Sequence, residues 1–190
     1  MNNIYQGELV RLSAMDPDEA SKAFSRWDRD SEFRRLLGSS ASDLISQKNL
    51  QKMIEKDLEE QSDDEHIFSV RKLDDDQLLG IMDLNVDNWP GRDAFVGLGI
   101  GEREFWGKGY GTDLMKLVLR YAFTEINMNR VTLTVFEYNP RAIRSYEKAG
   151  FRHEGRMRKL LNKEGKRWDM LFMGILREEW MEQNGNKITN

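Results

Sequence analysis

The stretch that most constrains this chain is Trp106-Gly107-Lys108-Gly109-Tyr110-Gly111-Thr112. Its glycines permit backbone angles that a side chain forbids, and they let a ligand come close to the main chain. An apolar run from Phe95 to Ile100 leads into it, with Gly97 and Gly99 inside the run. Behind it, Leu114, Leu117, Val118, Tyr121 and Ala122 recur at helical spacing, so an amphipathic helix opens directly from the loop. The first N–H groups of such a helix have no partner in the helix, and the positive end of its dipole points back at the glycines. Strand, glycine loop and helix together make a cradle for an anion, and a diphosphate is the anion it suits.

The flanking sequence supplies a sheet to hold that unit. Gly7 to Leu12 alternates as a first strand, and Asp16-Pro17 starts a helix expected to reach Trp27. The polar segment 28–46, broken at Gly38-Ser39-Ser40, reads as loop with partial helix. Helical spacing returns at Leu50, Met53, Ile54 and Leu58. Two runs, His66 to Leu73 and Leu78 to Val86, form a hairpin about Asp74-Asp75-Asp76, and Ala94 to Ile100 is the next strand. Glycine inside a strand marks a bulge, a crowded crossing or a close approach, and Gly97 and Gly99 fit each of these. Val131 to Phe136 is a β-branched strand. Asn139-Pro140 opens a second helix that Gly150 ends, and strands at 151–161 and 168–176 close the chain around the turn Asn162-Lys163-Glu164-Gly165. The expected fold is one α/β (α+β) domain over 1–180, a mixed and mostly antiparallel twisted sheet of six to seven strands with about four helices. A polar tail, 181–190, is expected to fray.

Composition narrows the function classes. The chain has 190 residues, a net charge of −4 and no cysteine, so disulfides, thiolate metal sites and a cysteine nucleophile are excluded. The charge balance argues against DNA and anionic membranes as partners, and the N-terminus lacks a signal peptide, so a cytoplasmic location is expected. His66 and His153 are too few and too scattered for a metal site, and none is expected. The sequence leaves a homo-oligomer open. Arg152, Arg156, Arg158, Lys159, Lys163, Lys166 and Arg167 make a basic hairpin, read as a solvated surface before an RNA contact.

The glycine loop is not a P-loop, because five residues separate Gly101 from Gly107 and Gly109 follows Lys108. It is not a dinucleotide fingerprint either, since Thr112 stands where glycine or alanine is required. Trp106 to Gly111 instead resembles the Gln/Arg-x-x-Gly-x-Gly/Ala acetyl-CoA loop of the GNAT family of N-acetyltransferases. Asn139, Ala142, Tyr146, Gly150 and Phe151 are similar to that family's Asn-x-x-Ala-x-x-x-Tyr-x-x-x-Gly-Phe signature. Glu154-Gly155-Arg156-Met157 and Gly165-Lys166-Arg167-Trp168-Asp169-Met170 resemble the branch containing ribosomal-protein-alanine and spermidine acetyltransferases. The match runs from about Ala94 to Leu176, with Trp106 standing where the wider family has Gln or Arg.

The resemblance implies acetyl-CoA as cosubstrate and a primary amine as acceptor, either a protein N-terminus or a small amine such as a polyamine. Backbone donors of Gly107, Lys108, Gly109, Tyr110, Gly111 and Thr112 would receive the diphosphate, with Trp106 at the loop entrance. Leu98, Gly99 and Ile100 would hold the pantetheine arm, which would explain Gly97 and Gly99 as points of close approach. Asn139 serves as helix cap and as a contact to that arm. Tyr146, two turns further on the same helical face, is the implied general acid for the CoA thiolate; its alternative is core packing beside Ala142, Ile143 and Ala149. The base is open among Asp83, Glu102 and Glu137, acting directly or through water, because the position five before Asn139 is Thr134. Trp27, Asp28, Asp30, Glu32 and Phe33 lie in the segment that shapes the acceptor pocket in relatives, where an aromatic and acidic lining would suit a cation. The alternative from another class is a non-catalytic acyl-CoA-binding regulator.

Overall fold

The computed structural model describes residues 3–40 and 43–188; Thr189 and Asn190 of the expected tail, and Ala41 and Ser42 of the expected loop, lie outside them. Asp16 caps the first helix, α1 (Pro17–Trp27), by accepting from Glu19 N, as its pairing with Pro17 requires. The same device opens α5 (Pro140–Ala149) at Asn139, and Gly150 ends it with a left-handed φ of 106°. Between them come α2 (Ser31–Leu37), α3 (Gln47–Glu59) and α4 (Tyr110–Thr124), and a last helix, α6 (Arg177–Ile188), follows. The strands are β1 (Val10–Ser13), β2 (Glu65–Lys72), β3 (Leu78–Asn88), β4 (Asp93–Ile100), β5 (Arg130–Phe136), β6 (Arg152–Lys163) and β7 (Lys166–Leu176). They form one sheet in the order β1-β2-β3-β4-β5-β7-β6, antiparallel except for β4 against β5.

The expected mixed sheet is present with seven strands. The segment 28–46, expected as loop with partial helix, carries that helix as α2, capped by Asp30. One region differs from expectation. The chain after Trp180 continues as α6 instead of fraying, because Trp180 is buried against Phe123 at 5.3 Å between ring centroids and anchors the helix to the core.

The alternation of strand residues sorts the sheet into two faces. Met82, Leu84 and Val96 join the main core, where α4 lays down Leu114, Met115, Val118 and Ala122. The residues between them face the other way. On that face Leu37 Cδ1 lies 2.7 Å from where a Cβ on Gly99 would sit, Asp83 Oδ1 lies 2.6 Å from that of Gly97, and the Trp27 ring fills the corresponding space at Gly101. Gly97 and Gly99 are therefore small to admit side chains of β3 and α2. The expected close approach of a ligand is not what their missing side chains make room for.

Trp27, Phe33, Ala23 and Leu78 form a second, smaller core that seats α1 and α2 on this face. A rigid indole cannot step aside, and overpacking of this kind costs about 1–3 kcal/mol. Gly101→Ala is expected to lower stability by that amount, read as a drop in the urea midpoint with unchanged m-value.

Candidate active site

The site begins where the sheet comes apart. β4 and β5 pair in parallel over Asp93↔Arg130, Ala94↔Val131 and Phe95↔Thr132 and then separate. Toward β3, β4 stays in register through Ile100, and Gly101 N donates to Leu79 O at 2.8 Å. That bond fixes the alternation: Gly97, Gly99 and Gly101 turn their peptide groups to β3, so those of Leu98 and Ile100 point into the gap. Leu98, Gly99 and Ile100 line the resulting cleft together with Trp106, Gly107, Gly109, Gly111, Thr112, Asn139 and Tyr146.

The glycine loop forms one end of the cleft. Gly107 and Gly109 hold φ of 75° and 95°, a region costly for any side chain, and the space above Gly107 is open. α1, α2, α3 and α5 each carry a side-chain cap, from Asp16, Asp30, Ser46 and Asn139. α4 begins at Gly109 with none, which leaves its first N–H groups available to an anion. Thr112 Oγ1 lies 2.9 Å from Ser145 Oγ and ties this end of α4 to α5. Of the loop residues, Lys108 is exposed and Tyr110 packs edge-on against Phe105 with centroids 5.0 Å apart; neither lines the cleft.

Trp106 does more than fill the position of the family's Gln or Arg. Its Nε1 donates to Ile100 O at 2.7 Å, taking up one of the carbonyls left by the strand separation. Its ring carries the Arg141 guanidinium 3.9 Å from the centroid and that of Arg103 at 4.9 Å. Arg141, whose pKa burial pushes down, was not singled out from sequence, and only its place two residues after the Asn139 cap could have marked it.

Asn139 accepts from Ala142 N at 3.1 Å, so it is a cap, and it also lines the cleft. Tyr146 is 8% exposed, and burial pushes its phenol up to about 12. Its hydroxyl hydrogen-bonds no described residue.

The three carboxylates separate clearly. Glu102 faces away from the cleft, accepting from Trp27 Nε1 at 3.0 Å and pairing with Arg26. Glu137 follows the C-terminal end of β5, two residues before the cleft-lining Asn139, and is taken up by Asp169 N at 3.1 Å and Arg156 at 3.7 Å. Asp83 sits over Gly97, beside the cleft-lining stretch of β4, with Asn85 Nδ2 donating to it at 2.9 Å and no cation paired with it among the described residues. Desolvation holds its carboxyl above the usual range. The aromatic and acidic lining expected from residues 27–33 is not present. Trp27 and Asp28 are interior, Asp30 and Glu32 are bound to Arg103, and only Phe33 reaches the cleft.

The acetyltransferase (GNAT) domain model matches residues 10–152 of this chain. A prophage-derived N-acetyltransferase of Bacillus subtilis is 31% identical, covering 95% of this chain and 97% of its own. The chain belongs to the GNAT acetyltransferase family. It is accordingly an N-acetyltransferase with acetyl-CoA as cosubstrate, and the regulator alternative gives way to the enzyme. An N-acetyltransferase of Bacillus licheniformis is 26% identical over 95% of this chain and 99% of its own. The same fold occurs in the spermidine N-acetyltransferase of Vibrio cholerae, crystallised with CoA and spermine, at a TM-score of 0.78 and 24% identity over 90% of this chain and 98% of that one. No helix among the described residues of this acetyltransferase is long and apolar enough to cross a membrane.

The raised pKa of Asp83 has a consequence for stability. Its folded value lies above the unfolded one, so its contribution is fully present below the ordinary carboxylate pKa of ~3.9 and is lost as pH rises through the folded value. Asp83→Asn should therefore raise Tm at about pH 7, with the gain vanishing near pH 4. A Tm lowered at pH 7 but unchanged near pH 4 would mean that the charged form has a stabilising partner.

Proposed function

We propose that this enzyme moves the acetyl group of acetyl-CoA straight to a primary amine in a ternary complex, with the chemistry centred between Leu98–Ile100 and Tyr146. The observation that carries the reading is the strand separation. It leaves the Leu98 peptide group and the Ile100 N–H unpaired by any strand, beside a helix start with no side-chain cap and a buried phenol. An extended amide-containing arm would complete the ladder that β5 abandons, which assigns the pantetheine arm to Leu98, Gly99 and Ile100 and the diphosphate to the N–H groups of Gly107, Gly109, Gly111 and Thr112. A backbone N–H on this stretch is the oxyanion donor for the thioester carbonyl. Trp106, holding Ile100 O, keeps that carbonyl from competing.

The acceptor arrives as an ammonium and must lose a proton before its nitrogen can attack. Asp83, raised in pKa and without a cation, is the proton acceptor, reached through water. The nitrogen then bonds to the carbonyl carbon, the C–S bond breaks, Tyr146 gives its proton to the departing sulfur, and the second proton leaving the nitrogen restores the phenol. A phenol near 12 would be a poor acid for a thiolate in water, where thiols titrate at about 8.5. The desolvation that raises the phenol also destabilises the thiolate, so both shift together and the transfer stays feasible.

Tyr146→Phe should lower kcat by about 10²–10⁴-fold while calorimetry shows CoA binding within a few-fold of the native protein. Retained kcat would remove Tyr146 from the acid role.

A further inference from the structure

The walls of the cleft carry information about the acceptor. Its charged lining residues are Arg141, Arg144 and Lys148, all cationic and all from α5, and no carboxylate lines it among the described residues. The facing wall is Phe33, Leu36 and Leu37 of α2. Leu37 and Phe33 reach over Gly99, at 2.7 and 3.6 Å from the position of its absent Cβ, so the apolar wall meets the strand at the reacting end of the cleft.

That wall is held from both halves of the chain. Tyr138 Oη donates to Arg35 O at 2.8 Å, the Arg35 guanidinium pairs with Glu164 at 2.5 Å, and Lys163 Nζ donates to Ser40 O at 2.7 Å.

Acidic residues are plentiful nearby, yet almost all are neutralised by the protein's own arginines. Arg103 pairs with Asp30 at 2.7 Å and Glu32 at 2.5 Å, Arg156 lies 3.1 Å from Asp169, and Arg26 takes Glu102. Asp28 is interior, 3.5 Å from Arg34. Asp83 alone among these lacks a cation. One carboxylate can receive one ammonium. A linear polyamine is charged at each of its nitrogens near neutral pH; its further charges would meet Phe33, Leu36 and Leu37, with nothing to replace their water.

We infer that the acceptor is a primary amine bearing a single positive charge and an apolar alkyl or aryl group, either a small molecule or the first residue of a peptide. The apolar group lies on Phe33, Leu36 and Leu37 and the nitrogen turns toward Asp83. This rests on the transfer reading above and names its acceptor class.

The test is thiol release from acetyl-CoA with 2-phenylethylamine, isopentylamine, peptides beginning with Leu or with Asp, and spermidine. The apolar monoamines or the Leu-first peptide should exceed spermidine in kcat/KM by about tenfold or more. Which of them leads distinguishes a free amine from a peptide N-terminus. Leu36→Glu, at a half-exposed position, should shift the ratio toward spermidine. Equal or better turnover of spermidine by the native enzyme, or a ratio unmoved by Leu36→Glu, would overturn the inference. Absence of thiol release with every amine, while calorimetry still shows CoA binding, would instead sink the transfer reading on which it stands.

Discussion

Everything in the cleft depends on β4 and β5 parting after Phe95 and Thr132. Sheets normally satisfy each peptide group with a neighbouring strand, and a buried group left without a partner costs more than a made hydrogen bond returns. Leu98 and Ile100 are half-buried and turn these groups to the cleft, where water or a ligand can pair them. β4 stays in place because its other edge remains fully paired with β3 and because both faces of this half of the sheet are packed, α4 on one and α1 with α2 on the other. The defect is thereby held open by well-made structure around it. Trp106 trims it further by taking the Ile100 carbonyl.

The two walls of the cleft differ in chemistry because they come from different parts of the chain. α5 enters with Asn139, Arg141, Tyr146 and Lys148 on or near the face that meets the cleft, which suits an anionic cosubstrate. α2 enters from the N-terminal half and presents carbon. Charge at α2 is taken up in ion pairs, Glu32 and Asp30 with Arg103, Arg35 with Glu164, and Arg34 with the interior Asp28. The result is a surface rich in ion pairs around a cleft with little acid in it, a distinction that composition cannot convey.

Much of this was readable from the residues, and the parts that were not share a cause. Cap-proline pairs at Asp16-Pro17 and Asn139-Pro140, the glycine loop and the helical stripe of α4 are local signals, and each element lies where those signals place it. α2 is seven residues of mixed polarity whose stability comes from Phe33 against Trp27 and Leu37 over Gly99, contacts made only after folding. Gly97 and Gly99 admit both a crowded crossing and a close approach of a ligand, because sequence shows that a side chain is missing without showing which neighbour uses the space. Glu102 and Asp83 are indistinguishable as letters. One is turned to Trp27 and Arg26 by the loop that follows β4, and the other stands on a strand beside the cleft. α6 reads as a polar tail because Trp180 is its only buried residue among those described.

The outer strands of the sheet differ in how they meet solvent. β1 is only four residues long, and the last edge, β6, is twelve residues with its register interrupted twice, between His153 and Gly155 and between Met157 and Leu161. Lys159 adds a left-handed φ of 55° at the second interruption, and Arg152, Arg156, Arg158 and Lys163 are spread along the strand. A neighbouring molecule seeking to extend the ladder finds no long, regular, uncharged template at either side. The basic hairpin thus has a use that needs no bound partner, as a guard against fibril-like stacking in a sheet that already leaves part of its interior unzipped.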